Sequence, residues 1–69
     1  MTVREAIDAR IKYHRLRLKQ AEGRYHSTAD GMDEMARQAA LLQCRVEQGI
    51  LIELEELRRE VAMYEVKDR

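Results

Sequence analysis

The 69-residue chain has room for one domain, residues 1–69, and its hydrophobic core must be small, because a domain of this size buries only about 60% of the surface of its unfolded chain. Its 13 basic and 13 acidic residues cancel, so no net field attracts it to nucleic acid or to a membrane. The single cysteine, Cys44, excludes an internal disulfide and a cysteine-rich metal site. Association with another chain is therefore the expected source of additional stability.

The first part of the chain predicts one amphipathic helix over about residues 3–26. Thr2 and Glu5 fit the capping-box pattern, in which a hydroxyl and a carboxylate each accept a hydrogen bond from a free backbone N–H. Gly23 offers an earlier end to this helix, as a C′ glycine. One face is expected to be buried, because six residues recur at alternating spacings of four and three. These residues are Ile7, Ile11, His14, Leu18, Ala21 and Tyr25.

Turn-forming residues at positions 27–31 predict a link to a second helix over about residues 31–66, with Thr28 or Asp30 as its N-cap. Apolar residues of this helix recur every eleven positions, which is typical of a nearly straight helix. Three of the repeats are Met35, Val46, Leu57; Ala39, Ile50, Val61; and Leu41, Ile52, Met63. The third set lies on a different side of the helix from the other two, so one neighbouring helix cannot cover all three sets. A second neighbour is predicted.

The fold class expected from these elements is all-α, an antiparallel two-helix hairpin. Matching apolar residues across the hairpin puts Arg10 opposite Glu47 and His14 opposite Cys44. The second helix is the longer, so about twelve residues at its end are expected to extend beyond the first helix. Pairing two hairpins into a dimeric four-helix bundle is the simplest way to bury that end. The expected interface with a second copy or another protein consists of Leu41, Leu51, Ile52, Leu57, Val61, Met63 and Tyr64.

The sequence contains no Gly-rich phosphate loop, His-Glu-x-x-His pair, Cys-x-x-Cys pair or nucleophile elbow. We therefore expect no enzymatic activity, no cofactor and no metal. Cys44 and His14 are the one pairing that suggests a nucleophile with its base. We interpret them as ordinary packing of a small buried residue beside a histidine.

A candidate ligand site lies on the first helix. Arg10, Tyr13 and Arg17 recur at i, i+3 and i+7, and with Lys19 they offer arginine forks and a stacking ring to a nucleotide or nucleic acid. The alternative is a solvated face whose charges pair with the second helix. Residues 1–26 carry seven basic and three acidic residues, whereas residues 30–69 carry six and ten, and this imbalance favours the alternative.

The function expected from these observations is that of a non-catalytic, oligomeric helical protein that binds another protein and so sequesters, chaperones or inhibits it. Compact size and high charge also suit small phage-encoded inhibitors of bacterial defence. A binding module for a phosphate-bearing ligand is the alternative function. No apolar run approaches the roughly 20 residues of a membrane span, and the N-terminal residues do not resemble a signal peptide, so we expect a cytoplasmic protein with no membrane partner.

Overall fold

Two helices make up the fold in a computed structural model that describes residues 1–28 and 33–67. Helix α1 is Val3–Thr28 and helix α2 is Glu34–Lys67. They run antiparallel, because an ion pair between Arg4 and Glu65 joins the start of α1 to the end of α2. At the opposite end, the Nη2 atom of Arg37 donates a hydrogen bond to the hydroxyl of Tyr25 at 3.4 Å. The all-α class and the two helices are confirmed.

The start of α1 follows the sequence closely. The hydroxyl of Thr2 accepts a hydrogen bond from the backbone N–H of Glu5 at 3.1 Å and donates one to the carboxylate of Glu5 at 3.2 Å. Glu5 thus reaches the Thr2 hydroxyl, whereas a complete capping box would take it to the backbone N–H of Thr2. The helix continues to Thr28, so Gly23 lies inside it and the earlier end is not used.

The start of α2 differs from the expectation. The helix begins at Glu34, because the Oδ1 atom of Asp33 accepts hydrogen bonds from the backbone N–H groups of Met35 at 3.1 Å and Ala36 at 3.3 Å. The predicted start near residue 31 is therefore wrong by about one turn. Of the two residues expected as N-cap, Thr28 belongs to α1, and Asp30 lies outside the described residues, as does Gly31.

The seam between the helices is narrow. All six residues expected on the inner face of α1 are buried or half-buried, which confirms that prediction. From α2, the buried residues are Ala40, Cys44, Glu47 and Leu51. Ile7, Ile11 and Leu51 form the core cluster, and Leu18, Leu54 and Val61 pack against it. Most of the seam residues from α2 are therefore small or polar.

The alignment of the helices corrects the predicted register. Glu47 contacts His14 and Arg17, whereas we expected it opposite Arg10. Farther along, Arg58 binds Asp8 at 2.8 Å. These contacts shift α2 by about one turn relative to the expected pairing.

The same shift removes most of the expected overhang of α2. Val61 is half-buried against the core cluster, and Glu65 lies 3.5 Å from Arg4 in the first turn of α1. The prediction that about twelve residues extend beyond the first helix is therefore wrong. The later helix boundaries account for most of the difference, because α1 ends at Thr28 and α2 begins at Glu34, whereas we expected the boundaries near residues 26 and 31.

The hairpin is elongated. Its Cα radius of gyration is 16.1 Å, whereas a compact domain of this length has a radius of about 11 Å. An elongated shape has little interior, so a large share of the apolar side chains must remain at the surface.

We predict that Ile11→Ala lowers the free energy of unfolding by about 2 to 4 kcal/mol, because it opens a cavity in the core cluster. Urea denaturation monitored by circular dichroism, at one protein concentration, measures the change. Leu16→Ala is the matched control, since Leu16 is 56% exposed and Ile11 only 4%. Equal losses for the two variants would contradict the assignment of Ile11 to the core.

We predict that Asp33→Ala costs about 1 kcal/mol, because two backbone N–H groups of α2 lose their acceptor. Asp33→Asn keeps an oxygen at the same place and should retain most of that stability. Thermal unfolding of the three proteins gives the comparison. An alanine variant as stable as the parent would show that α2 is not capped at residue 33.

Candidate functional site

A buried carboxylate lies at the centre of the seam. The Glu47 side chain is 2% exposed, and the Nδ1 atom of His14 donates a hydrogen bond of 2.6 Å to its Oε2 atom. Its Oε1 atom accepts hydrogen bonds from Arg17 Nε and Gln43 Nε2, both at 2.8 Å. We call Glu47, His14, Arg17 and Gln43 the polar cluster. Charge-assisted hydrogen bonds of this kind offset the loss of hydration that burial imposes on a carboxylate.

The polar cluster favours the ionised form of Glu47. The hydrogen bond from Arg17, and then that from His14, lowers the pKa of the Glu47 carboxyl below its usual value, although burial acts in the opposite direction. The same bond to Glu47, together with one to the Tyr13 hydroxyl, raises the pKa of Arg17. Glu47 is therefore a charged, structural group that joins the two helices.

The structure brings together only part of the candidate ligand site. The guanidinium of Arg17 bonds to Glu47 and to the Tyr13 hydroxyl, and its central carbon lies 5.6 Å from the Tyr13 ring centre. Arg10 is exposed and makes no ion pair with any residue that the structure describes. Lys19 lines a shallow depression with Tyr13 and Leu16, on a side of α1 away from Arg10 and Arg17. That depression is formed by α1 alone.

The alternative interpretation of the basic residues agrees with three contacts. Arg4, Arg15 and Arg17 each pair with a glutamate of α2, at 3.5, 3.4 and 2.8 Å. Binding of a phosphate-bearing ligand at Arg10, Tyr13, Arg17 and Lys19 stays a prediction. A ligand that needs the fork of Arg17 would have to compete with Glu47 for it.

A row of exposed apolar side chains follows α2 along nearly its full length. Its members are Met35, Leu42, Val46, Leu57 and Tyr64, with exposed fractions of 82%, 62%, 48%, 44% and 69%. At 3.6 residues per turn they fall within an arc of about 60°, and this arc lies about 120° round the helix from the seam with α1. Glu53 and Glu60 fall within the same arc, so two carboxylates interrupt the apolar row in its second half. We call this row the outer stripe.

A second uncovered apolar set lies on the remaining side of α2. Leu41, Ile52 and Met63 are 37%, 59% and 63% exposed and are spaced by eleven residues. We expected α1 to cover one of the repeating sets and a further neighbour to cover the other. The structure leaves the outer stripe and this second set uncovered. The residues of α2 that α1 buries, among them the small residues Ala40 and Cys44, lie between these two surfaces.

The expected interface residues divide into two groups. Leu41, Ile52, Leu57, Met63 and Tyr64 are exposed, whereas Leu51 belongs to the core cluster and Val61 packs against it, so these two serve the hairpin itself. The expected interface omitted Met35, Leu42 and Val46. The eleven-residue spacing that joins Met35, Val46 and Leu57 was the signal that could have placed two of them there.

A glycine lies midway along the outer stripe, at its edge. Gly49 is exposed, and a Cβ atom added to it would meet nothing within 4 Å. Glycine in the interior of a helix costs about 1 kcal/mol relative to alanine. The hairpin itself therefore gives no packing reason for the absence of a side chain at this position.

In residues 1–28 and 33–67 there is no group of three His, Cys, Asp or Glu side chains that could hold a metal ion. Cys44 is a buried free thiol, and His14, its expected neighbour, bonds to Glu47. Neither of the two helices, as far as it is described, is long and apolar enough to cross a membrane.

Comparison with protein-family models, with curated proteins and with solved structures found no match to this chain. A functional proposal must therefore come from the residues of the chain itself. Two features distinguish this hairpin from a helix pair with an apolar seam and a polar exterior. They are the polar cluster, which is buried, and the outer stripe, which is apolar and exposed.

We predict that the hairpin loses stability as the pH falls below about 4.5, because a carboxyl whose pKa is lowered on folding contributes stability above its unfolded value and loses it as the pH drops through the folded value. Glu47 faces His14 and Arg17 from α1, so protonation of Glu47 removes two charge-assisted bonds. Thermal unfolding of the parent and of Glu47→Gln between about pH 7 and pH 3 tests this.

The Glu47→Gln variant should melt at least about 5 °C below the parent at pH 7 and approach it at the acidic end. Glu22→Gln is the control, since Glu22 is an exposed residue of α1 that lies outside the polar cluster and should leave the pH profile unchanged. Parallel profiles for the parent and Glu47→Gln would contradict the role given to this carboxylate.

Proposed function

We propose that this chain is a non-catalytic interaction protein that binds another polypeptide chain through the outer stripe of α2. The observation that carries the proposal is the exposure of five large apolar side chains in one row, from 44% at Leu57 to 82% at Met35. Single exposed apolar residues are ordinary, but five large ones that share one helix face, even with Glu53 and Glu60 between them, are typical of a docking surface. An apolar helix face of this kind packs against another helix or fits an apolar groove.

The thin core supports the same proposal. Among residues 1–28 and 33–67, Ile7, Ile11 and Leu51 form the buried apolar cluster, and a domain of this size rarely obtains more than about 3 to 5 kcal/mol from its core. Covering the outer stripe would remove further apolar area from water, at about 25 cal/mol for each Å². Binding and stability are therefore coupled in this proposal.

Such binding can regulate a partner without any chemical step. A helix of the partner that packs on the outer stripe loses access to its other binding sites, so the hairpin would sequester, chaperone or inhibit it. We place this activity in the cytoplasm, where a free thiol such as that of Cys44 stays reduced.

A photo-reactive benzoylphenylalanine tests the proposal when it replaces Leu42 in the cells that make the protein. We expect irradiation to give a discrete covalent adduct, because position 42 lies within the outer stripe. The same residue in place of Leu16 is the control, since Leu16 is 56% exposed and Leu42 62%, but Leu16 lies on α1 away from the stripe. No adduct at position 42, or the same adducts from both positions, would refute the docking surface.

A further inference from the structure

We infer that the chain bound on the outer stripe is a second copy of this protein, whose α2 lies antiparallel to the first across a two-fold axis near Gly49. The inference rests on the proposed function and names its partner. Three observations carry it: the spacing of the outer stripe, the charges beside it and the glycine at its middle.

Four of the five residues of the outer stripe are placed nearly symmetrically about its middle, and Val46 is the exception, since Glu53 occupies the equivalent position. Leu42 and Leu57 lie seven residues before and eight residues after Gly49, and Met35 and Tyr64 lie fourteen before and fifteen after. An antiparallel copy centred there puts Leu42 level with Leu57 of the second copy. It also puts Met35 level with Tyr64 of the second copy. A two-fold interface needs this property, because the same patch must complement itself.

The charges beside the stripe favour the antiparallel direction. Arg45 lies beside its first half and Glu56 beside its second half, and Glu53 and Glu60 lie within that second half. Within residues 1–28 and 33–67, none of these four side chains forms an ion pair. An antiparallel copy brings Arg45 beside Glu53 and Glu56 of the second copy, twice by symmetry. A parallel copy would instead place each glutamate beside its own equivalent, and like charges repel.

Gly49 fits the point where the two helices cross. A Cβ atom there has open space around it in the hairpin, so the glycine is not needed for the packing of α1 against α2. A glycine between two helices allows their backbones to approach closely. Gly49 is unfavourable within one hairpin, but in the dimer it allows the two α2 helices to pack closely.

Sedimentation equilibrium of the purified chain over a range of concentrations tests the inference. We expect a dimer, and we expect Leu42→Glu to raise its dissociation constant at least about tenfold, because the substitution replaces the apolar contact with Leu57 of the second copy by a buried charge. Leu16→Glu introduces the same charge at a similarly exposed leucine of α1 and should leave the dimer intact. Circular dichroism of each variant shows that the helices are retained.

Charge exchange tests the direction of the pair. Arg45→Glu should weaken the antiparallel dimer at least about tenfold, and the double variant Arg45→Glu/Glu56→Arg should restore it, because each new glutamate then meets a new arginine. In a parallel dimer the single change would replace one like-charge pair by another, and the second change would restore nothing.

Two results would overturn the inference. One is a parent chain that stays monomeric at every concentration, and the other is a dimer that Leu42→Glu and Leu16→Glu affect equally. If the parent is monomeric while the photo-reactive residue at position 42 still captures a different protein, the proposed function stands and the partner is that protein. If position 42 captures nothing, the proposed function fails as well.

Discussion

The hairpin buries one carboxylate, that of Glu47, between its two helices, and the alignment of the helices depends on the partners that this carboxylate finds. Its oxygens bind His14 and Arg17 of α1 and Gln43 of α2, all within 2.8 Å. Sliding α1 by one turn would break the bonds to both charged partners. In one direction it would bring Arg10 alone towards Glu47, and in the other it would leave the buried carboxylate without compensation, which is strongly destabilising. Apolar seams tolerate several alignments, whereas a buried polar residue selects one.

The alignment set by Glu47 decides which apolar residues are covered. It brings Leu51 against Ile7 and Ile11, and it turns Ala40 and Cys44 towards α1 as the remaining buried residues of α2. The outer stripe is left on a separate face. A helix with a narrow inner seam and a wide uncovered apolar surface is typical of a component of a larger helical assembly. The proposed pairing of two α2 helices follows from this distribution.

Local patterns predicted the elements well. The alternating spacing from Ile7 to Tyr25 identified the inner face of α1, because only one side of that helix is continuously apolar. Thr2 identified its start. The start of α2 was harder, since Thr28, Asp30 and Asp33 are all suitable N-caps by residue type, and only the geometry shows that Asp33 accepts the hydrogen bonds.

The alignment of the two helices and the residues of the candidate site could be determined only from the structure. Glu47 occurs in a charged helix where a glutamate normally faces solvent, so nothing in the sequence marks it as buried. Matching apolar residues alone then paired it with Arg10. The eleven-residue spacing did show that α2 has more apolar surface than one neighbour can cover, but it did not show that α1 would contact the alanine and cysteine between the larger side chains.

Two double-mutant cycles, one between Arg17 and Glu47 and one between Arg10 and Glu47, test the role of Glu47 most directly. Each cycle compares the free energy of unfolding of the parent, the two single alanine variants and the double variant, and isolates the coupling between the pair. The structure predicts a coupling well above experimental error for Arg17 with Glu47 and none for Arg10 with Glu47. Coupling to Arg10 with none to Arg17 would contradict the alignment, and with it the position of the outer stripe.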